Sequence, residues 1–259
     1  MHRRNLLRMA TAALLPGGIS VAALNEHTQF VSPTRYIDSN HPQIKSAVAN
    51  VAPSTLGARA RAVRIHDFVR DQVKFGWTSD FYDQSASEVL KSGVGFCNTK
   101  GTLFAAMLRA ADVPARQHFV DINAQILSPF IDPGTPYVDH SFVEVWLDDC
   151  WWATDSYIVD LPLYTAAQRQ LRERGQVLGF GVHRDGASRW DAQSNSYCQF
   201  VRSPDFPALT TRDHGIYQDV GAFYASGNGV NRLNVLLKLG FGIFARAANS
   251  RIEALRGAA

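Results

Sequence analysis

Apolar residues recur at helical spacing from Gly57 to Val73. Ala62, Ile65, Val69 and Val73 fall on one face, with arginines and acids on the others. Phe75-Gly76-Trp77 breaks that period. Ser85-Ala86-Ser87-Glu88 is a capping-box pattern ahead of Val89-Leu90 and predicts a short helix. Gly93-Val94-Gly95 reads as a turn. A second long helix then runs from Cys97 to about Ala111 on a stripe of Leu103, Phe104, Met107 and Leu108, and Asp112-Val113-Pro114 ends it.

Beyond that point the period changes from helical to alternating. Arg116–Asn123 reads as a strand, and Ser128–Val138, with Pro129, Pro133 and Pro136, as a loop. His140–Leu147 alternates cleanly: Ser141, Val143, Val145 and Leu147 point one way, and His140, Phe142, Glu144 and Trp146 the other. Asp148-Asp149 turns the chain into a second strand, Cys150–Asp155, so the two form an antiparallel hairpin. Residues 161–174 have the pattern of a polar helix, and residues 175–229 show no period. A final helix over 230–256 carries Leu233, Leu236, Leu237, Phe241 and Phe244 together with Arg232, Lys238, Arg246, Arg251 and Arg256. Its stripe and charges fit either a membrane surface or docking on the domain.

The 259 residues are 46% hydrophobic and 19% charged, which is ordinary globular composition and excludes wholesale disorder. Three cysteines exclude a disulfide scaffold. The net charge of +3 comes from one place: without Arg3, Arg4 and Arg8, basic and acidic residues balance at 23 each. No global charge therefore points to nucleic acid as a partner. Residues 1–23 combine a basic start, a short apolar run and small residues, the layout of an export signal. Arg3-Arg4 resembles a bacterial twin-arginine signal, and Ser20-Val21-Ala22 offers a cleavage site. The expected location is periplasmic or extracellular. No later stretch is apolar for long enough to span a bilayer, so no transmembrane helix is expected in the mature chain.

Three residues can carry chemistry together. Cys97 sits where a Gly-rich turn enters a helix, and the free amides and positive end of that helix favour the thiolate. His140 begins one strand of the hairpin and Asp155 ends the other, which makes them neighbours across an antiparallel pair. A carboxylate beside an imidazole fixes its tautomer and stabilises the imidazolium, and the imidazole can exchange a proton with the thiol.

The segment from Gly93 through Cys97-Asn-Thr-Lys-Gly to Leu108-Arg-Ala and Pro114-Ala-Arg116 resembles the cysteine segment of transglutaminase-like proteins. His140-Ser-Phe-Val-Glu-Val-Trp146 and Trp152-Ala-Thr-Asp155 resemble its histidine and aspartate segments, in the same order and with a spacing of 15 from His140 to Asp155. The resemblance covers roughly residues 57–160. It implies an α+β fold with a papain-like core, in which a helix carrying the nucleophile packs on an antiparallel sheet. It also implies acyl transfer or hydrolysis of amide or peptide bonds through a Cys97 thioester, with His140 as general base then acid and Asp155 as the orienting carboxylate. The oxyanion hole would use the Cys97 amide and a further donor, for which Trp77 is the candidate. The expected organisation is an export signal (1–23), a lead-in (24–56), a catalytic core (57–160) and a C-terminal extension packed on it (161–259). The expected partner is a peptide or protein substrate.

No metal or cofactor is expected, because no Cys/His cluster has ligand spacing and no calcium loop appears. Cys150 and Cys198 read either as one disulfide or as two thiols. Glu144 reads as a rim residue, and His66, His118, His183 and His214 as structural or solvent-facing. Trp190, Tyr197, Phe200, Phe206, Tyr217, Phe223 and Tyr224 fit either a substrate cleft or the core of an extension. A competing reading of the whole chain is a non-catalytic binding or assembly module of the cell envelope.

Overall fold

A helix that precedes the expected core opens the architecture. Pro42 at its first position and the His41 side chain, which accepts from the Gln43 amide at 3.3 Å, start helix α1 (Pro42–Val51). Its Ile44 and Val48 are buried, so this part of the expected lead-in is a component of the core. The computed structural model describes residues 27–201, 212–231 and 235–258, with side chains in the last segment from residue 240. The expected export signal, Phe206, Arg232 and Leu233, and the side chains of Leu236, Leu237 and Lys238, lie outside the described residues.

Helix α2 (Ala58–Gln72) buries Ala62, Ile65 and Val69, as its period predicts. Helix α3 (Ala86–Ser92) begins with the expected capping box at 3.4 Å from the Glu88 amide to Ser85 Oγ. It ends at Gly93, whose φ of 64° is the left-handed conformation that glycine adopts without a Cβ clash. Strands β1 (Lys74–Phe75) and β2 (Val94–Gly95) pair in parallel and hold the turn that leads into helix α4 (Cys97–Ala110).

α4 is buried all round. The three preceding helices pack on one side, and strands β3 (Ala115–Asn123) and β4 (Tyr137–Leu147) on the other. Its polar residues therefore need partners inside the protein. Thr102 donates to the Asn98 carbonyl at 2.9 Å, and Arg109 to the carbonyls of Ala115 at 2.9 Å and Ser32 at 2.7 Å. Gly101 sets how closely the helix meets the sheet: a Cβ there would lie 2.9 Å from Gln117 Nε2 and 3.0 Å from the Tyr157 hydroxyl.

The sheet is antiparallel with order β5-β4-β3-β8, where β5 is Cys150–Thr154 and β8 is Asp213–Tyr217. Val143, Val145 and Leu147 face α4, whereas Val138 and Phe142 face a second apolar cluster with Phe200. The chain past residue 160 is more ordered than its pattern indicates. Helix α5 (Leu161–Glu173) is followed by a short hairpin of β6 (Leu178–Gly179) and β7 (Val182–His183). Strand β8 then adds an edge to the central sheet, before helices α6 (Val220–Ala225) and α7 (Val235–Arg256). β8 lacks an apolar run, so periodicity passes over it. Besides its ladder to β3 it is held by side chains, with His118 Nε2 2.6 Å from Asp213 and His214 Nε2 2.8 Å from Asp121.

α7 docks on the domain. Phe241, Ala245, Ala248 and Ile252 are buried, although Ile243 stays 69% exposed and Phe244 40%. Its end is fixed by Arg256, which makes two bonds to the Asp160 carboxylate, at 2.9 and 2.8 Å, and a third to the Phe75 carbonyl at 2.9 Å. Asp160 also accepts from the amides of Phe75 at 3.0 Å and Leu163 at 3.3 Å, so this one carboxylate joins β1, α5 and α7. Removing one partner of a buried, hydrogen-bonded pair strands the other charge. Arg256→Ala is therefore expected to destabilise the fold by about 3 kcal/mol or more in denaturant unfolding. A loss below about 1 kcal/mol, the level of an exposed pair, would contradict this role.

Candidate active site

Cys97 is the first residue of α4, behind the turn held by β1 and β2. The Phe96 amide is satisfied by Thr99 Oγ1 at 3.0 Å, and the first intrahelical bond runs from the Lys100 amide to the Phe96 carbonyl at 2.8 Å. The amides of the first turn therefore point out of the helix end, where they favour negative charge. The Cys97 thiol is 7% exposed and donates weakly toward Asn98 Oδ1 at 3.6 Å and the Asp139 carbonyl at 3.8 Å.

His140 is the fourth residue of β4, which begins at Tyr137 and is longer at this end than the alternation indicates. The ladder to β5 pairs Val143 with Thr154, so Asp155 lies one residue beyond it and meets the histidine of the neighbouring strand. His140 Nε2 and Asp155 Oδ2 are 2.9 Å apart, and both side chains are fully buried. The other ring nitrogen, Nδ1, has no nitrogen or oxygen partner. Burial disfavours the charged ring. The Asp155 bond and the neighbouring Cys97 sulfur outweigh burial, and the His140 pKa is raised from 6.5 to about 9.

Asp155 is itself held by the extension. Its carboxylate accepts from the backbone amides of Cys198, Gln199 at 3.2 Å and Phe200 at 2.8 Å. The Phe200 ring lies 6.1 Å from the His140 ring and stacks on Phe142 at 5.3 Å. Periodicity had no access to this contact, because backbone donors carry no side-chain signature and residues 198–200 have no pattern of their own.

Cys97 and His140 line a cavity of about 540 Å³. Trp77, the candidate second oxyanion donor, lines it as well. The hydrogen bonds that Trp77 makes run through its backbone, to Asn249 of α7 at 3.0 and 2.8 Å, and its ring stacks on Phe96 at 6.2 Å. Of the aromatic residues weighed for a cleft, Tyr224 reaches this cavity. Trp190 belongs to the main core, Tyr197 and Phe200 to the second cluster, and Tyr217 and Phe223 to a third. The rest of the aromatic lining comes from Phe75 of β1, from Trp77 and Phe81 in the loop before α3, from Phe96 ahead of α4, and from α7.

Two further polar residues, Asn98 and Asp139, lie against Cys97. Asn98 Nδ2 donates to the Tyr224 hydroxyl at 3.1 Å. The Asp139 carboxylate accepts from the amides of Val230 at 2.7 Å and Asn231 at 2.8 Å, which closes the chain over the mouth of the cavity. Lys100 points the opposite way. Fully buried, it donates to the carbonyls of Arg70 at 3.3 Å and Val73 at the end of α2, and burial lowers its pKa to about 7.

The other described histidines lie away from the cavity. His66 bonds Ser156 Oγ at 2.8 Å and braces the residue after Asp155. His118 and His214 fasten β8, and His183 accepts from the Asp185 amide at 3.0 Å. Glu144 pairs with Arg116 at 2.5 Å and with His118 at 3.2 Å on the outer face of the sheet. Cys150 and Cys198 are both free thiols, the first exposed and the second buried.

The raised His140 pKa has a definite sign for stability. A group whose folded pKa lies above its unfolded value contributes stability that is complete below the unfolded value and is lost as pH rises through the folded one. The His140 contribution is therefore full below pH 6.5 and fades toward about 9. An NMR titration of the ring is expected to show the raised pKa in the wild type and a lower one in Cys97→Ala. An ordinary pKa in both proteins would contradict the coupling.

Residues 44–156 match the sequence model of the transglutaminase-like superfamily, a span that holds Cys97, His140 and Asp155. No match appears among curated proteins. A crystal structure of a "putative cysteine protease" from Cytophaga hutchinsonii aligns over 50% of this chain and 41% of its own length, with 19% identity and a TM-score of 0.41. The matched segment runs from α1 to the residue after Asp155 and so contains α4 and the two sheet strands that bear His140 and lead to Asp155. Over residues 44–156, somewhat less than half of its length, the chain is similar to the transglutaminase-like superfamily.

Proposed function

We propose that this chain is an exported thiol hydrolase of amide or peptide bonds, with Cys97 as nucleophile, His140 as the proton carrier and Asp155 as its orienting carboxylate. One observation carries the reading. A cysteine at a helix N-terminus and a histidine bonded to a buried carboxylate at 2.9 Å open together into the same 540 Å³ cavity. The export part of the reading rests on residues 1–23 alone.

In this mechanism His140 Nδ1, the ring nitrogen left without a protein nitrogen or oxygen partner, takes the thiol proton. The Cys97 sulfur then attacks the carbonyl carbon. A sulfur–carbon bond forms, and negative charge collects on the carbonyl oxygen. The Cys97 backbone amide and the Trp77 indole N–H are the donors assigned to that oxygen. The carbon–nitrogen bond breaks as His140 returns its proton to the leaving amine, and a thioester remains. Water attacks the thioester with His140 again taking a proton. The sulfur–carbon bond breaks, the acid leaves, and the thiol is restored. Asp155 holds the ring through Nε2 throughout, so that Nδ1 faces the sulfur.

Exposed Cys150 supplies an internal control for an acylation test. On mixing with p-nitrophenyl acetate and quenching in acid, peptide mapping is expected to find an acetyl group on Cys97 ahead of Cys150. Cys97→Ala should lower turnover by about 10⁴-fold or more with the fold unchanged. Modification of Cys150 alone, or full turnover by Cys97→Ala, would overturn the reading.

A further inference from the structure

The cavity beside Cys97 is built for an apolar group. One wall is a continuous aromatic stack. Phe96, which precedes the cysteine, stacks on Phe81 at 5.2 Å with planes 9° apart, Phe81 meets Phe241 of α7 at 4.8 Å, and Phe241 meets Phe244 at 5.4 Å. The lining also has an aliphatic part, with Ile122, Ile126, Leu127 and Ile131 from the end of β3 and the segment beyond it, and Val138 from β4. Aliphatic and aromatic side chains lining one space leave dispersion and burial energy for a ligand to collect.

Charge gives the same answer. The lining includes no lysine or arginine among the described residues. Its acids are Asp132 and Asp139, and Asp139 already accepts from the amides of Val230 at 2.7 Å and Asn231 at 2.8 Å. The cationic group of the described lining is the His140 ring, already bonded to Asp155 at 2.9 Å, so an anionic group entering beside Cys97 would lose its hydration without meeting an unpaired cation among the described residues. At about 540 Å³ the space falls in the range of small-molecule sites and exceeds what one side chain fills.

We infer that the substrate presents a bulky aromatic or branched aliphatic group next to the carbonyl that Cys97 attacks, seated against the Phe81–Phe96–Phe241 stack and the Ile126–Ile131–Val138 part of the lining. The inference rests on the proposed thiol chemistry for its position but not for its binding. The described lining offers an acidic acyl group no lysine or arginine. α7 acts as a specificity element, because Phe241 and Phe244 come from it and Asn249 fixes Trp77 at the other end of the stack.

Two readouts keep the inference separable from the chemistry. In the first, kcat/KM is compared for p-nitrophenyl esters of 3-phenylpropanoate, acetate and succinate. The aromatic ester is expected to exceed acetate by at least about 10-fold, with succinate below both. Phe241→Ala and the milder Ile131→Thr should each shrink the aromatic advantage. Acetate turnover without an aromatic preference would overturn the inference and leave the thiol mechanism standing. In the second, Cys97→Ala is titrated calorimetrically with 3-phenylpropanamide and with succinamate. Saturable binding of the aromatic amide alone, weakened by Phe241→Ala, supports the pocket even if no ester is turned over. Equal or absent binding of the two amides overturns it.

Discussion

The Asp155 carboxylate is the constraint on which the rest of the site depends. It meets two parts of the chain directly, and a third is tied to the residue that follows it. His140 comes from the adjacent strand at 2.9 Å, the amides of residues 198–200 come from the C-terminal extension, and neighbouring Ser156 is tied to His66 of α2 at 2.8 Å. A carboxylate and an imidazole at zero exposure would be costly to desolvate without such saturation by hydrogen bonds. The sheet delivers one residue, the extension satisfies the other, and the ring is left with one free nitrogen.

The second requirement is an accessible sulfur at the end of a helix that is otherwise enclosed. α4 is packed by helices on one side and strands on the other, and Gly101 lets it press close to Gln117 and Tyr157. Burying Lys100 against the last carbonyls of α2 turns that long side chain away from the cavity. Only the N-terminal residue of the helix reaches the cavity. The family-matched span ends at residue 156, yet the cavity needs the chain beyond it: α7 contributes one wall, and residues 230–231 cap Asp139 at its mouth.

Much of this was legible in the residues. The α2 and α4 stripes, the Ser85 cap, the loop of three prolines and the β4–β5 hairpin all follow from period and punctuation, and the hairpin alone puts His140 beside Asp155. What escaped was of two kinds. α1 is short and sits in a segment begun by prolines, so its two buried residues were too few to stand out. β8 and residues 198–200 work through backbone groups and paired charges rather than through an apolar repeat, and neither leaves a periodic trace. The aromatic residues weighed for a cleft mostly fill cores, while the cavity draws on Phe81, Phe96 and Phe241, which are distant in sequence and come together only through the docking of α7.

The most direct measurement of the central claim is the alkylation rate of Cys97 relative to Cys150 at pH 7, by iodoacetamide with peptide mapping, in the wild type, His140→Ala and Asp155→Asn. Burial alone makes Cys97, at 7% exposure, the slower thiol. An ordinary exposed cysteine is only a few per cent thiolate at this pH, so a sulfur activated by its histidine should outrun it by about 10-fold or more. The account predicts that order in the wild type and its reversal in both variants. A wild-type Cys97 that reacts more slowly than Cys150, or one whose rate ignores His140, would contradict it.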